Sequence, residues 1–104
     1  MLKSLHTNQN EIFLSMLRRL RHAQRLRQSD LAKRLGRGQA TVSKVERGVR
    51  RLDVIELRAW LAALDVDFLA FMNELSSKLT GVPVPDPKLR SRRRAPTRGS
   101  RTND

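Results

Sequence analysis

Between residues 28 and 48 lie two apolar clusters, each about two helical turns long, separated by three residues of which two are glycine. Leu31, Ala32 and Leu35 share one face of the first cluster, and Val42 and Val45 share one face of the second. Gly36 and Gly48 stand where each must stop. Helices this short do not hold in water on their own, so both must bury their apolar faces against each other and against a third element. Gly36 can adopt the positive φ that closes a helix, and Ala32 is small where the two helices have to cross. Apolar positions alone match many amphipathic hairpins by chance. Ala32, Gly36, Val42 and Val45 together at this spacing do so far less often, and they predict helices over 28–35 and 39–47.

The remaining apolar periodicity supplies the partners. Phe13, Leu17 and Leu20, with Ile12, Met16 and Ala23 alongside, predict a helix from Asn10 to Gln24. Asn8 with Glu11 can form a capping-box variant at its start, and Asn10 is the alternative cap. Leu57, Leu61 and Leu64, flanked by Val54 and Trp60, predict a fourth helix capped by Asp53. Asp67 suits the cap of a fifth, in which Phe68, Leu69, Phe71, Met72, Leu75 and Leu79 are apolar. No alternating strand pattern competes, and with 4% aromatic residues the core falls to Leu, Val, Ile, Met and Ala. The expected architecture is all-α: a short arm over 1–9, a compact five-helix domain over 10–79, and a tail over 80–104.

Charge narrows the function. The formal net charge is +12. Residues 80–104 contribute +5 of it and residues 1–79 the other +7, so the excess is not confined to the tail and a polyanion is the first partner to consider. The tail reads Val82-Pro83-Val84-Pro85-Asp86-Pro87, then an Arg-rich run with almost no apolar side chains. That composition cannot bury enough surface to offset chain entropy, and disorder is expected; the tail is either a solvated appendage or a non-specific phosphate-binding arm. There is no cysteine, and His6 and His22 are too few for most metal sites. No carboxylate pair, nucleophile with its base, or phosphate-cradling glycine loop can be assembled, so neither an enzyme nor a cofactor is expected. No apolar run reaches the length of a membrane span, and none resembles a signal peptide.

Two short helices joined by a glycine-containing turn are the helix-turn-helix signature. The segments Leu17-Arg18-Arg19-Leu20-Arg21, Gln28-Ser29-Asp30-Leu31-Ala32, Leu35-Gly36 and Gln39-Ala40-Thr41-Val42-Ser43-Lys44-Val45-Glu46-Arg47-Gly48 resemble the Cro/lambda-repressor-type (XRE-like) helix-turn-helix domain of bacterial and phage transcriptional regulators. The resemblance covers about residues 11–75 and implies a lambda-repressor-like fold and double-stranded DNA as partner. Four positions depart from the family pattern: Arg25 replaces the usual Gly after the first helix, Arg27 the usual Ser or Thr cap of the second, and Arg37 and Gly38 an apolar residue and a Ser or Thr cap in the turn. Three of the four add positive charge near where phosphates would lie.

By that resemblance the third helix enters the major groove, nominating Gln39, Ala40, Ser43 and Lys44 as base-reading residues. The chemistry suits them: Gln39 can bond adenine at two atoms, Ala40 can meet a thymine methyl, and Lys44 can reach guanine or a phosphate. Gln28, at the start of the second helix, can hold a phosphate with the helix N-terminus, and Arg37, Arg47, Arg50 and Arg51 flank the reading helix as phosphate contacts. Each of these positions would otherwise be an ordinary exposed helix residue. Arg21 and Glu46 match an internal ion pair of the family linking the first and third helices, a structural role.

One domain of this size reads a single short half-site, which specifies too few bases. A homodimer on an inverted-repeat operator is therefore expected, with Phe68 and Met72 facing inward and Phe71, Leu75 and Leu79 on the outer face of the fifth helix as the dimer interface. The expected function is a sequence-specific transcriptional regulator, a repressor, associated with the nucleoid in the cytoplasm. The alternative is an antitoxin that represses its own operon and binds a toxin, although residues 86–104 offer only Leu89, Ala95 and prolines as apolar anchors.

Overall fold

The computed structural model describes residues 3–82, with side-chain detail over 8–82. Five helices follow in order: α1 Lys3–Ala23, α2 Gln28–Leu35, α3 Gln39–Glu46, α4 Val54–Ala63 and α5 Phe68–Lys78. No strand occurs among the described residues. α2 packs on α3 and on α4, α1 packs on α3 and α5, and α4 closes against α5. The expected all-α, five-helix architecture is the one observed, while residues 83–104, most of the expected tail, lie outside the described residues.

The core takes side chains from every helix: Met16 and Leu17 from α1, Leu31 and Ala32 from α2, Val42 and Val45 from α3, Leu57, Trp60 and Leu61 from α4, and Phe71 from α5, with Leu64 just beyond α4. Leu31, Val42, Val45, Leu61 and Leu64 have no exposed surface. Each such side chain contributes about 1.5–3 kcal/mol relative to exposure, which is what holds the eight-residue helices α2 and α3.

Each of the first four helices closes through a residue with positive φ, and neighbouring packing explains why only two of these residues are glycine. Gly36 (φ 67) and Gly48 (φ 81) end α2 and α3, while Arg25 (φ 58) and Asp65 (φ 61) do the same after α1 and α4. In all four the following N–H returns to a carbonyl of the last turn: Leu26 to Arg21 at 3.2 Å, Arg37 to Ala32, Val49 to Lys44 and Val66 to Leu61 at 2.9 Å. Where the left-handed residue is not glycine, the next one, Leu26 or Val66, packs against the core. That apolar contact offsets backbone strain of about 1–3 kcal/mol. After the glycines come Arg37 and Val49, both exposed.

Three expectations from the sequence are corrected. First, α1 begins at Lys3 rather than Asn10; Asn8, Asn10 and Glu11 are helix-interior and cap nothing. No Gly or Pro interrupts residues 3–10, and asparagine inside a helix costs only fractions of a kcal/mol, about 0.7 at most, so residues able to cap do not force a cap. Second, Ala23 is exposed, and Leu14, which the periodicity passes over, is 5% exposed.

Third, Phe71 is not on an outer face. It is 2% exposed and meets Phe13 edge to face, ring centroids 6.1 Å apart at 81°. Phe68, Phe71, Met72 and Leu75 stand at i, i+3, i+4 and i+7, with Leu79 one turn further; α1 packs on this side of α5, and Met72, Leu75 and Leu79 are half-buried. Leu69, at 69% exposure, is the apolar residue that points away.

Candidate nucleic-acid interface

Gly38 precedes α3 and offers no side-chain cap, so the orientation of this helix depends on tertiary bonds. Glu46, 3% exposed, sits in its last turn and receives Arg21 of α1 in a fork: Nε to Oε2 at 2.7 Å and Nη2 to Oε1 at 2.9 Å. The third arm of the guanidinium donates from Nη1 to the carbonyl of Leu26 at 2.7 Å, so one arginine ties α1, the α1–α2 turn and α3. Arg18, a turn earlier on α1, donates to the backbone carbonyl of Glu46 at 2.7 Å and to Glu11 at 2.5 Å. It thereby caps the C-terminus of α3, where a cation is favoured by the helix dipole. Sequence reading did not single out Arg18, because its acceptor is a backbone oxygen 28 residues away.

The same carboxylate reaches α2. Gln28 Nε2 donates to Glu46 Oε1 at 3.1 Å, and Gln28 Oε1 accepts from Gln39 Nε2 at 2.7 Å. The first residues of the two helices are thus latched, and the latch ends on a buried ion pair. Gln39 retains its side-chain carbonyl oxygen and a second amide N–H, the acceptor and donor that a bidentate contact to adenine requires.

Gln39, Ala40 and Lys44 share one exposed face of α3, and the exposed Arg47 follows directly after its end. Ser43, on the same face, is half-buried and its Oγ accepts from Arg47 Nε at 3.2 Å. The nominated cations divide. Arg47 lies beside the reading face. Arg50 is committed to Glu56 at 2.7 Å, and the exposed Arg37 lies 3.8 Å from that carboxylate. The Arg50 guanidinium, and then the Asp53 backbone N–H, hold the Glu56 carboxyl below its ordinary range. Arg51 does not stand with them; it lines a cleft beside Phe13 and Leu52.

The N-terminus of α2 is built without the usual cap. Arg27 precedes it in an extended conformation, and Asp30 accepts the Arg27 backbone N–H at 2.8 Å while pairing with its guanidinium at 3.1 Å. The guanidinium first, and the backbone N–H second, lower the Asp30 carboxyl to about 2. Among the described residues no group of His, Cys, Asp and Glu could hold a metal ion, and no helix is long and apolar enough to cross a membrane.

A helix-turn-helix family model matches residues 17–71, more than half of the chain. Among solved structures, an XRE-family like protein from Pseudomonas syringae pv. tomato str. DC3000 is 36% identical, over 75% of this chain and 98% of that chain, with a TM-score of 0.68. No curated protein matches the sequence. The two short helices, their glycine turn and these matches agree: the chain belongs to the Cro/lambda-repressor-type helix-turn-helix family of DNA-binding transcriptional regulators.

Proposed function

We propose that this regulator is a sequence-specific repressor that binds an inverted-repeat operator as a homodimer, inserting α3 into the major groove of each half-site. The observation that carries the reading is the chain of bonds Arg21–Glu46–Gln28–Gln39. It holds one polar side chain at the start of an otherwise uncapped helix, rigid and with its adenine-binding atoms available. Direct base readout needs such a preset geometry, since a freely rotating glutamine would lose side-chain entropy of up to about 2 kcal/mol on binding.

In this reading Gln39, Ala40, Ser43 and Lys44 face base edges. Arg37, Arg47 and Gln28, with the N-terminus of α2, hold phosphates; Arg50 contributes charge while anchored to Glu56. Repression needs only occupancy, because a domain filling the major groove of a promoter excludes other proteins from it. Pairing uses the outer side of α5, where Met72, Leu75 and Leu79 border an open groove and Leu69 projects into solvent. Phe71 has no part in it.

The test is selection of bound sequences from a random duplex pool at physiological salt, followed by titration of the selected site. The reading requires an inverted repeat whose half-sites lose preference at one base pair when Gln39 becomes Ala. A pool that stays random after selection rejects sequence-specific reading.

A further inference from the structure

Arginines from both ends of the reading helix converge on one carboxylate. Arg37 stands in the turn before α3 and Arg50 in the connection after it, and both reach Glu56 in the first turn of α4. Glu56 Oε2 lies 2.7 Å from Arg50 Nη2 and 3.8 Å from Arg37 Nη2. Its other oxygen is already used: Oε1 accepts the Asp53 backbone N–H at 3.0 Å, while the Asp53 side chain accepts the Glu56 N–H at 2.7 Å. This reciprocal cap fixes the side chain of Glu56, so Oε2 is held toward the arginines.

The other cations along α3 have no such restraint. Arg47 donates to the Ser43 hydroxyl at 3.2 Å, and Lys44 meets no carboxylate among the described residues. A chain with a net charge of +12 is drawn to every duplex, because phosphates are the same in all sequences. Free arginines therefore raise affinity without raising specificity. A carboxylate placed among them acts the other way, since it repels phosphate and competes with it for the guanidinium groups.

We propose that Glu56 is a specificity-determining residue: it withholds Arg37 and Arg50 from the phosphates of unselected duplex, and releases Arg37 where base contacts hold α3 seated in the groove. The proposal rests on the DNA-binding reading and adds the residue that limits its sequence-independent part. The geometry separates the two arginines. Arg50 is hydrogen-bonded to Oε2 and stays anchored. Arg37, at 3.8 Å and with 43% of its side chain exposed, is attracted but not hydrogen-bonded. Exposed pairs of this kind are weak, so a phosphate kept in place by the seated helix displaces Glu56 from Arg37. At a random site nothing keeps the phosphate there.

The experiment compares the full wild-type chain with Glu56→Gln, titrating random duplex and the selected operator over a salt series. Glutamine retains an oxygen for the Asp53 N–H and puts an amide in place of Oε2, so the cap is kept and the arginines are released. Trp60 fluorescence in urea shows whether the variant is folded. Random-duplex affinity should rise about three- to tenfold near 0.1 M salt, and its salt slope should steepen by about 0.9 for each arginine that gains a phosphate. Operator affinity should rise less, so that the ratio of the two falls. Adding Arg37→Gln and Arg50→Gln to Glu56→Gln should abolish the gain.

A second variant leaves the cap of α4 untouched. In Arg50→Gln the random-duplex slope should change by much less than 0.9, the value for one phosphate contact, because Arg50 is engaged by Glu56 and not by DNA. Loss of the full contact overturns the proposal. So does random-duplex affinity that is unchanged or lower in folded Glu56→Gln, an equal rise on both duplexes, or a gain that survives removal of both arginines. A wild-type chain that binds no duplex overturns the DNA-binding reading as well, and that result is visible before any variant is compared.

Discussion

Gln28 and Gln39, the first residues of α2 and α3, are joined by a hydrogen bond of 2.7 Å from the Gln39 amide to the Gln28 side-chain oxygen. Two residues proposed for separate tasks, phosphate holding and base reading, are therefore one mechanical unit. Gln39→Ala should lower affinity for the selected operator by about 1–3 kcal/mol and leave binding to random duplex nearly unchanged. Gln28→Ala should weaken both, since it removes a phosphate contact and frees Gln39. Parallel titrations with operator and random duplex at one salt concentration check this, and equal operator binding by Gln39→Ala and wild type would exclude α3 as the reader.

Glu46→Ala should destabilise the fold strongly. The side chains of Arg21 and Glu46 are 9% and 3% exposed, and removing one partner of such a pair costs about 3–5 kcal/mol because the remaining charge is buried alone. Trp60 is the single tryptophan and is 2% exposed, so its fluorescence in a urea titration reports unfolding directly. A double-mutant cycle with Arg21→Ala should show strong coupling; additive effects would refute the pair's role.

The start of α2 predicts an acid-sensitive step. Asp30 titrates at about 2 when folded against about 3.9 for an unperturbed aspartate. Its folded-state value is lowered, so its contribution to stability is present above pH 4 and fades as pH falls from about 4 toward 2. The difference in thermal midpoint between wild type and Asp30→Asn should therefore be constant from pH 7 to about 5 and narrow below pH 4. A difference that persists unchanged at pH 2 would show that the carboxylate charge is not what caps α2.

A two-fold dimer places its recognition helices one turn of the duplex apart, with half-site centres about 10 base pairs apart. Inserting about five base pairs between half-sites turns one of them to the opposite face and should abolish tight binding. Leu69→Glu should reduce cooperativity without altering half-site preference. Sedimentation of the complex at one protein per operator would reject the dimer.

Removing residues 88–104 should flatten the salt dependence of DNA binding while keeping the preferred sequence. The slope of log K against log salt should fall in magnitude by about 0.9 for every phosphate that these cations neutralise in the complete chain. The same slope with and without this run would mean that its arginines do not meet DNA.

Most of what was legible in the sequence is local. The bounds of α2, the caps Asp53 and Asp67 and the turn at Gly36 follow from side chains acting on backbone within a few residues. Leu31, Ala32, Val42 and Val45 were readable as core because two short helices have only one way to bury so little apolar surface. Tertiary structure decided the rest. α1 starts at Lys3, ahead of the residues able to cap it, and Phe71 faces inward because Phe13 of α1 meets it edge to face across the core. Turns at Arg25 and Asp65 carry no glycine signal, because the stabilising contact is made by the next residue against the core. The bonds that aim α3, from Arg18 to a backbone carbonyl and from Gln39 to Gln28, join residues 28 and 11 positions apart. Periodicity specifies the face of a helix but not its neighbour across the core, and only the packed chain brings those groups within hydrogen-bond distance.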